Sequence, residues 1–300
     1  MRLYEILYVL NLHLKDAIKN NEKTAIFIKK AYDNVIDTLS KSYDISDDIT
    51  GTKISKLKLT DNMKYKINKI IDDKIDINDK KLLRFKLGLE LSNLHGIGPK
   101  KAKQLIDLGL TDIKQLNNKY KEYVTAATLL LLKHKPDKYI SHDVINKLEP
   151  HLTQNNIESI IVGSYRRNKP FSRDIDVMII SDNNNAIDQY IKNISANKSN
   201  NIIVYLQGVD KVSFLFKNTS ISTKYFKIDV FRTDVKYKIA MLLYSTGSKE
   251  FNIRVRKLAL KMGYVLNQKG LFLNSKEIAL NKEQDLFTIL NIPYLPPNSR

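Results

Sequence analysis

Cysteine and tryptophan are both absent from this 300-residue chain, and no apolar run approaches the length of a membrane span. Without cysteine there can be neither a disulfide framework nor a thiolate metal site, which fits a reducing compartment. Residues 1–14 have an apolar rhythm interrupted by Arg2, Glu5, Asn11 and His13, and so lack a signal-peptide core and cleavage site. These absences predict an intracellular protein, cytoplasmic or nuclear, that is neither secreted nor held in a membrane. No internal repeat is evident.

Acidic residues are in deficit. Against 32 Asp and Glu stand 50 Lys and Arg, a formal charge of +18 at pH 7. With 16 tyrosines alongside, that excess points to a polyanionic partner, most simply nucleic acid. A nucleotide-biased genome would enrich Lys, Asn and Ile, all plentiful here, but would not by itself unbalance the charge. A 43% hydrophobic content supplies real cores, and the length allows two or more compact units.

The first third reads as basic and helical. Over residues 22–39, Ile26, Ala31, Val35, Ile36 and Leu39 recur near helical spacing and leave Lys23, Lys29 and Lys30 to the polar side. A turn-rich segment, 40–51, follows. In residues 53–77, Ile67, Ile70, Ile71 and Ile75 share one helix face while Lys64, Lys66 and Lys69 face solvent. Then comes Leu94-His95-Gly96-Ile97-Gly98-Pro99-Lys100-Lys101. The two glycines permit a tight turn and Pro99 suits the first position of a helix, which predicts a helix-hairpin-helix. Backbone N–H groups at such a turn converge on an anion, with Lys100, Lys101 and Lys103 adding charge, and a DNA phosphate bound without regard to sequence is the natural ligand.

Residues 124–134 and 141–152 read as helices, with Lys135-Pro136-Asp137 between them as a breaker. The texture then changes to strands at 157–162, 174–181, 212–216 and 224–232, with a helix at 186–194. Helical character returns over 235–262, and a proline-bearing tail closes the chain. Within the second strand, Asp174-Ile175-Asp176 directs both carboxylates to one face and Ile175 to the core. Asp229, within Lys227-Ile228-Asp229-Val230, adds a third acid on a later strand. Three neighbouring carboxylates raise one another's pKa values unless cations neutralise them, and two Mg²⁺ ions would do so. Such a pair supports in-line phosphoryl displacement, here nucleotidyl transfer. The turn at Gly163-Ser164 offers backbone N–H groups and a hydroxyl to a triphosphate. Arg166 and Arg167 follow, and one of them can donate a forked pair of hydrogen bonds to phosphate.

Gly163-Ser164-Tyr165-Arg166-Arg167, Asp174-Ile175-Asp176, the Leu94–Pro99 segment, Tyr244-Ser245-Thr246-Gly247-Ser248 and the tail Ile292-Pro293-Tyr294-Leu295-Pro296-Pro297 together resemble family X DNA polymerases, the DNA polymerase beta group. The resemblance implies an α+β chain with four parts. An all-helical lyase-like domain would occupy 1–80 and a helix-hairpin-helix subdomain 81–143. A nucleotidyltransferase palm with a mixed sheet would span 144–235, and a small C-terminal α/β nucleotide-selection subdomain 236–300. It implies that Asp174 and Asp176 bind both Mg²⁺ ions, for which Mn²⁺ can substitute. Asp229 would bind the catalytic one and help deprotonate the primer 3′-hydroxyl. It further implies that Gly163, Ser164 and Arg167 hold the triphosphate, that Tyr244 and Gly247 lie beside the sugar, and that Asn252 reaches the base. Arg256 would face the template and Lys227 the primer phosphate. Gly96 and Gly98 would grip the primer backbone with a monovalent cation.

The implied partners are gapped or nicked DNA and dNTP, bound by a monomer working beside a DNA ligase in base-excision repair. The alternatives are template-independent or end-joining synthesis, and a catalytically impaired DNA-binding protein. Four positions depart from the family pattern. Arg173 precedes the first metal-site acid, Ser245 replaces an aromatic, Lys249 replaces an acid, and His142 stands in place of an arginine. They lead us to expect altered nucleotide selection and low fidelity. Lys69 is the candidate Schiff-base residue for 5′-deoxyribose-phosphate lyase activity, a role that neighbouring lysines and partial burial would favour by keeping the amine uncharged. However, residues 59–63 lack the glycine of the expected phosphate-gripping hairpin.

Overall fold

A computed structural model describes residues 1–20, 25–72, 80–153 and 156–300, which form two compact units, Met1–Leu129 and Leu130–Arg300. The first unit opens with α1 (Leu3–Asn20) and α2 (Ala25–Ser42). The interrupted rhythm of residues 1–14 is a helical stripe, with Leu3, Ile6, Leu7, Leu10 and Leu14 all buried. It packs with Tyr32, Val35 and Leu39 of α2. Ile26, by contrast, is 81% exposed, since the nine residues separating it from Val35 are about two and a half helical turns. Ala31 is exposed as well. The single run read over 53–77 is two helices, α3 (Gly51–Ser55) and α4 (Asp61–Asp72), parted by a turn in which Leu57 O accepts from Leu59 N–H at 2.9 Å. Ile67 and Ile70 are buried as the spacing requires. Glu22, Lys23, Ile75 and Ile77 lie outside the described residues.

The hairpin joins α5 (Lys80–Ser92) to α6 (Pro99–Asp107), with Pro99 opening the second helix. Gly96 sits at φ +75°, and a Cβ there would stand 3.4 Å from Thr128 Oγ1. That hydroxyl donates to His95 O at 2.8 Å and fixes the turn. Gly98 differs from the expectation: its φ is −84°, and nothing lies within 4 Å of where a Cβ would be. Only Gly96 is demanded by the backbone. Lys100 is exposed and Lys101 half-buried beside it. Helix α7 (Ala126–His134) follows.

In the second unit, β1 (Ile140–Ser141) leads into α8 (His142–Leu152), whose N-cap Ser141 accepts from Val144 N–H at 3.3 Å. Then come β2 (Ser159–Ile161), the single-turn helix α9 (Gly163–Arg166), β3 (Phe171–Ser172), β4 (Ile175–Ile180) and α10 (Ala186–Ser195). Three strands follow, β5 (Asn200–Gln207), β6 (Lys211–Asn218) and β7 (Phe226–Thr233). The main sheet has the order β2-β4-β7-β6-β5, with β4 and β7 parallel and the other pairs antiparallel. One face of it packs on α8 and α10 through Ile145, Leu148, Ile187 and Tyr190. On the other face Met178 and Ile180 meet Leu242 of α11 (Lys238–Thr246). The helical stretch read as continuous over 235–262 is broken. Gly247 ends α11 at φ +68°, and Ser248 caps α12 (Lys249–Lys261), its hydroxyl accepting from Phe251 N–H at 3.2 Å. The rest is a three-stranded antiparallel sheet, β8 (Tyr264–Asn267), β9 (Gly270–Leu273) and β10 (Lys276–Ile278), with α13 (Glu283–Ile289). Among the described residues no helix is long and apolar enough to cross a membrane.

Candidate active site

The parallel pairing of β4 with β7 sets Asp176 directly beside Asp229. Ile175 and Val177 turn into the core, so strand alternation gives Asp174 and Asp176 to the opposite face. There a cleft of about 1020 Å³ opens. Gly163, Ser164, Arg167, Asp174, Asp176, Asp229, Tyr244, Gly247, Asn252 and Arg256 all line it. Five separate elements or their flanks, α9, β4, β7, α11 and α12, therefore deliver ten expected site residues to one space.

The turn at Gly163 is built around an aspartate. Gly163 has φ +63°, and a Cβ on it would collide with Asp176 Oδ2 and stand 3.2 Å from its Cγ. The backbone N–H of Val162 donates to Asp176 O at 2.8 Å. Gly163→Ala would cost about 1–2 kcal/mol for the left-handed conformation and would also push the carboxylate aside. We expect a melting temperature lowered by several degrees and a loss of turnover larger than that destabilisation explains, read by calorimetry and primer extension on one preparation. Unchanged turnover would show that the close approach has no bearing on Asp176.

Burial pushes the Asp174 carboxyl above its ordinary pKa, partly offset by the Lys227 charge and reinforced by Asp229. Burial, then repulsion from Asp174 and Asp229, pushes Asp176 up to about 7. Among the described residues, no three Asp, Glu, His or Cys side chains already close around a common point at ligand distance. The donors are nonetheless hard carboxylate oxygens, desolvated and mutually repelling, and fit a divalent cation such as Mg²⁺. Lys227 acts on Asp174 more strongly than Arg173 does. The Arg173 charge also acts on Asp174, more weakly, and its guanidinium lies 5.9 Å from the centre of the Tyr139 ring.

Several expected phosphate and base groups are engaged within the protein. Ser164 donates its hydroxyl to Ser172 Oγ at 2.7 Å. Arg167 Nη1 donates to Thr246 O at 2.5 Å, and its buried Nε has no protein partner. Burial holds the Arg167 pKa below its ordinary value. The forked pair of hydrogen bonds belongs to Arg166 and goes to a carboxylate: Nη2 to Glu283 Oε2 at 2.7 Å and Nη1 to Glu283 Oε1 at 3.1 Å. Asn252 Nδ2 donates to Tyr244 O at 2.8 Å, and the Arg256 guanidinium lies 5.0 Å from the centre of the Tyr244 ring. Lys249 and Ser245 both line the cleft, with the Ser245 hydroxyl turned back to Met241 O at 2.7 Å. His142 is not a cleft residue: it stacks on Tyr165 with ring centroids 4.6 Å apart.

Gly96, Gly98, Lys100, Lys101 and Lys69 all belong to the first unit. Lys69 is exposed on α4, so the partial burial invoked for a lyase nucleophile is absent. Sequence reasoning missed Lys211, whose Nζ lies 3.6 Å from Asp229 Oδ1, and Ser213, whose hydroxyl donates to that same oxygen. Both sit on the one face of β6 that the period of two assigns to them. The signal was present, but not the register that aims it at Asp229.

The DNA polymerase beta palm profile matches residues 137–243 and the DNA polymerase beta thumb profile residues 241–300, together more than half of the chain. The chain is 30% identical over 146 residues to the repair DNA polymerase X of African swine fever virus, a match covering 47% of this chain and 80% of that protein. It is 40% identical over 58 residues to DNA polymerase IV of Saccharomyces cerevisiae, covering 19% of this chain and 10% of the yeast protein. In fold it is similar to Leishmania infantum polymerase beta, solved as a ternary gap complex. The TM-score is 0.63 at 23% identity, over 79% of this chain and 96% of that one.

Proposed function

This chain belongs to the family X DNA polymerases, and from that premise we propose that it fills short gaps in DNA during base-excision repair, adding dNTP to a primer 3′-hydroxyl. The observation that carries this reading is the convergence of the aspartates, the Gly163 turn and Arg167 with Tyr244, Asn252 and Arg256 in one cleft. The primer 3′-hydroxyl would lose its proton with the help of Asp229, its oxygen would bond to the α-phosphorus as the bond to the bridging α–β oxygen breaks, and pyrophosphate would leave. Bound divalent cations, Mg²⁺ or Mn²⁺, supply charge neutralisation and a more acidic attacking hydroxyl. Asp174, Asp176 and Asp229 would hold them. Arg167, with Ser164 at the start of α9, would meet the β and γ phosphates, while Tyr244, Gly247 and Asn252 would bound the sugar and base.

Arg256 would lie toward the template and Lys227 toward the primer phosphate. The Gly96 turn with Lys100 and Lys101 would hold the DNA backbone, with a monovalent cation at the hairpin, and the division of the chain near 80, 143 and 235 belongs to the same proposal. The protein would act as a monomer and leave a nick for a ligase. Lyase chemistry at Lys69 is outside the proposal, because that side chain stands in solvent.

The test is extension on one-nucleotide-gapped DNA, on a blunt primer and without template, in Mg²⁺ and in Mn²⁺, comparing the protein with Asp229→Ala. We expect templated gap filling that falls at least about 100-fold in the variant, since even residues supporting a metal ligand contribute up to that much. Synthesis without template would favour an end-joining role, and DNA binding with no synthesis would sink the enzymatic reading.

A further inference from the structure

Asp229 differs from the other two acids in what holds it. Its partner across the antiparallel β6–β7 ladder is Ser213, which is 2% exposed. Directly opposed residues face the same side of a sheet. The Ser213 hydroxyl donates to Asp229 Oδ1, and Lys211 Nζ stands 3.6 Å from that same oxygen.

Behind Ser213 is a third group. The β5–β6 register shifts between Val204 and Leu206, so Tyr205 is the extra residue of a bulge. Bulges re-aim side chains near active sites. The Tyr205 side chain shares a hydrogen bond with Ser213. The serine hydroxyl is therefore held between the phenol and the carboxylate to which it donates. A chain results that joins Tyr205, Ser213 and Asp229 Oδ1. Oδ1 is occupied twice over, and Oδ2 is left for the cleft that Asp174 and Asp176 share.

We infer that Ser213 and Tyr205 are positioning residues that lock the Asp229 carboxylate so that it offers one oxygen, Oδ2, to a single cation. The inference rests on the polymerase reading. It explains why a buried serine faces an acid and why β5 carries an irregularity at that point. A free carboxylate would rotate about its terminal torsion, swinging either oxygen toward the cleft. A hydroxyl that donates to one oxygen removes that freedom, and the phenol keeps the hydroxyl from turning away.

The experiment compares Ser213→Ala, Tyr205→Phe and Ser213→Thr with the unaltered protein. It reads kcat and the dNTP KM on gapped DNA, and Mn²⁺ affinity by electron paramagnetic resonance. Ser213→Ala is expected to lower kcat and weaken Mn²⁺ binding about 10- to 100-fold, the range for groups that orient a metal ligand, with the KM unmoved. Tyr205→Phe moves both in the same direction by less, and Ser213→Thr, which keeps the hydroxyl, restores them. Wild-type kcat and Mn²⁺ affinity in Ser213→Ala would overturn the inference, as would a loss confined to KM. If Ser213→Ala does not fold, Tyr205→Phe decides alone, and unchanged values there also overturn it. A protein that makes no DNA product at all refutes the polymerase reading instead, while the Mn²⁺ titration still tests the lock.

Discussion

Asp176→Asn is expected to give a protein that melts higher than the original at pH 8 and no longer extends a primer. The Asp176 carboxyl, with a pKa pushed from 3.8 up to about 7, binds its proton more tightly in the folded chain than in the unfolded one. Between about pH 4 and pH 7 the folded state therefore holds the extra proton, and stability falls as pH rises through that window. A rise of that size corresponds to at most about 4 kcal/mol. An amide of the same shape removes the charge and recovers part of it.

The melting temperature of the variant should exceed that of the original by several degrees at pH 8 and coincide with it at pH 4. Mg²⁺ or Mn²⁺ should raise the original at pH 8, because a ligand of the folded state alone stabilises it by mass action, and should do less for the variant. Activity moves the other way, since the amide is a poor ligand for a hard cation, and should drop at least about 100-fold. Parallel pH profiles for the two proteins would show that Asp176 is not under the electrostatic load described here.

The second large effect is structural. Glu283 is almost fully buried and accepts from Arg166 on one side and from Arg300 Nη1, at 2.7 Å, on the other. Burial alone would raise its pKa, but the hydrogen bonds from Arg166 and Arg300 outweigh that and hold it below the ordinary value. Its contribution is present above the unfolded pKa of a glutamate and is lost as pH falls through the folded one. Arg300 has no exposed side-chain surface and lies against the rings of Phe251, Phe287 and Tyr294. Glu283→Ala would leave the buried Arg300 guanidinium and the partly exposed Arg166 guanidinium without their counter-ion, at about 3–5 kcal/mol.

The damage should also reach the cleft. Arg166 Nη1 donates to Thr246 Oγ1 at 2.6 Å, and Arg167 Nη1 to the carbonyl of the same residue. We therefore expect an unfolding midpoint lowered in urea, together with a reduced kcat. Replacing Arg166, Glu283 and Arg300 together with apolar residues of similar length should recover much of the stability but not the kcat. If Glu283→Ala unfolds at the original urea concentration, the triad does not hold this part of the fold together.

Local chemistry made much of the site legible. A Gly-Ser turn, Asp-x-Asp on an alternating strand and a later strand aspartate each need only a few neighbouring residues to be recognised, because strand periodicity sets which way they face. The hairpin was legible for the same reason, with Pro99 marking the start of a helix. Partners distant in sequence were not. Arg166 reads as a phosphate ligand until Glu283, more than a hundred residues away, is found beside it. His142 reads as a stand-in for an arginine until it is seen stacked on Tyr165. Strand β5 carries a short apolar run, Ile202-Ile203-Val204-Tyr205-Leu206, between Asn201 and Gly208, but periodicity alone does not tell such a run from a buried helix segment. Its bulge at Tyr205 exists only in the pairing with β6.

Residue types and their short-range spacing were thus enough to identify three acids, a glycine turn and a basic hairpin, because backbone periodicity acts within a few residues. Which oxygen of Asp229 is held, which arginine is free for an anion, and how far the pKa of Asp176 rises were decided by strand register and burial. Those depend on contacts between segments that the chain brings together only when it folds, and the desolvation that loads the aspartates does not exist until the sheet has closed around them.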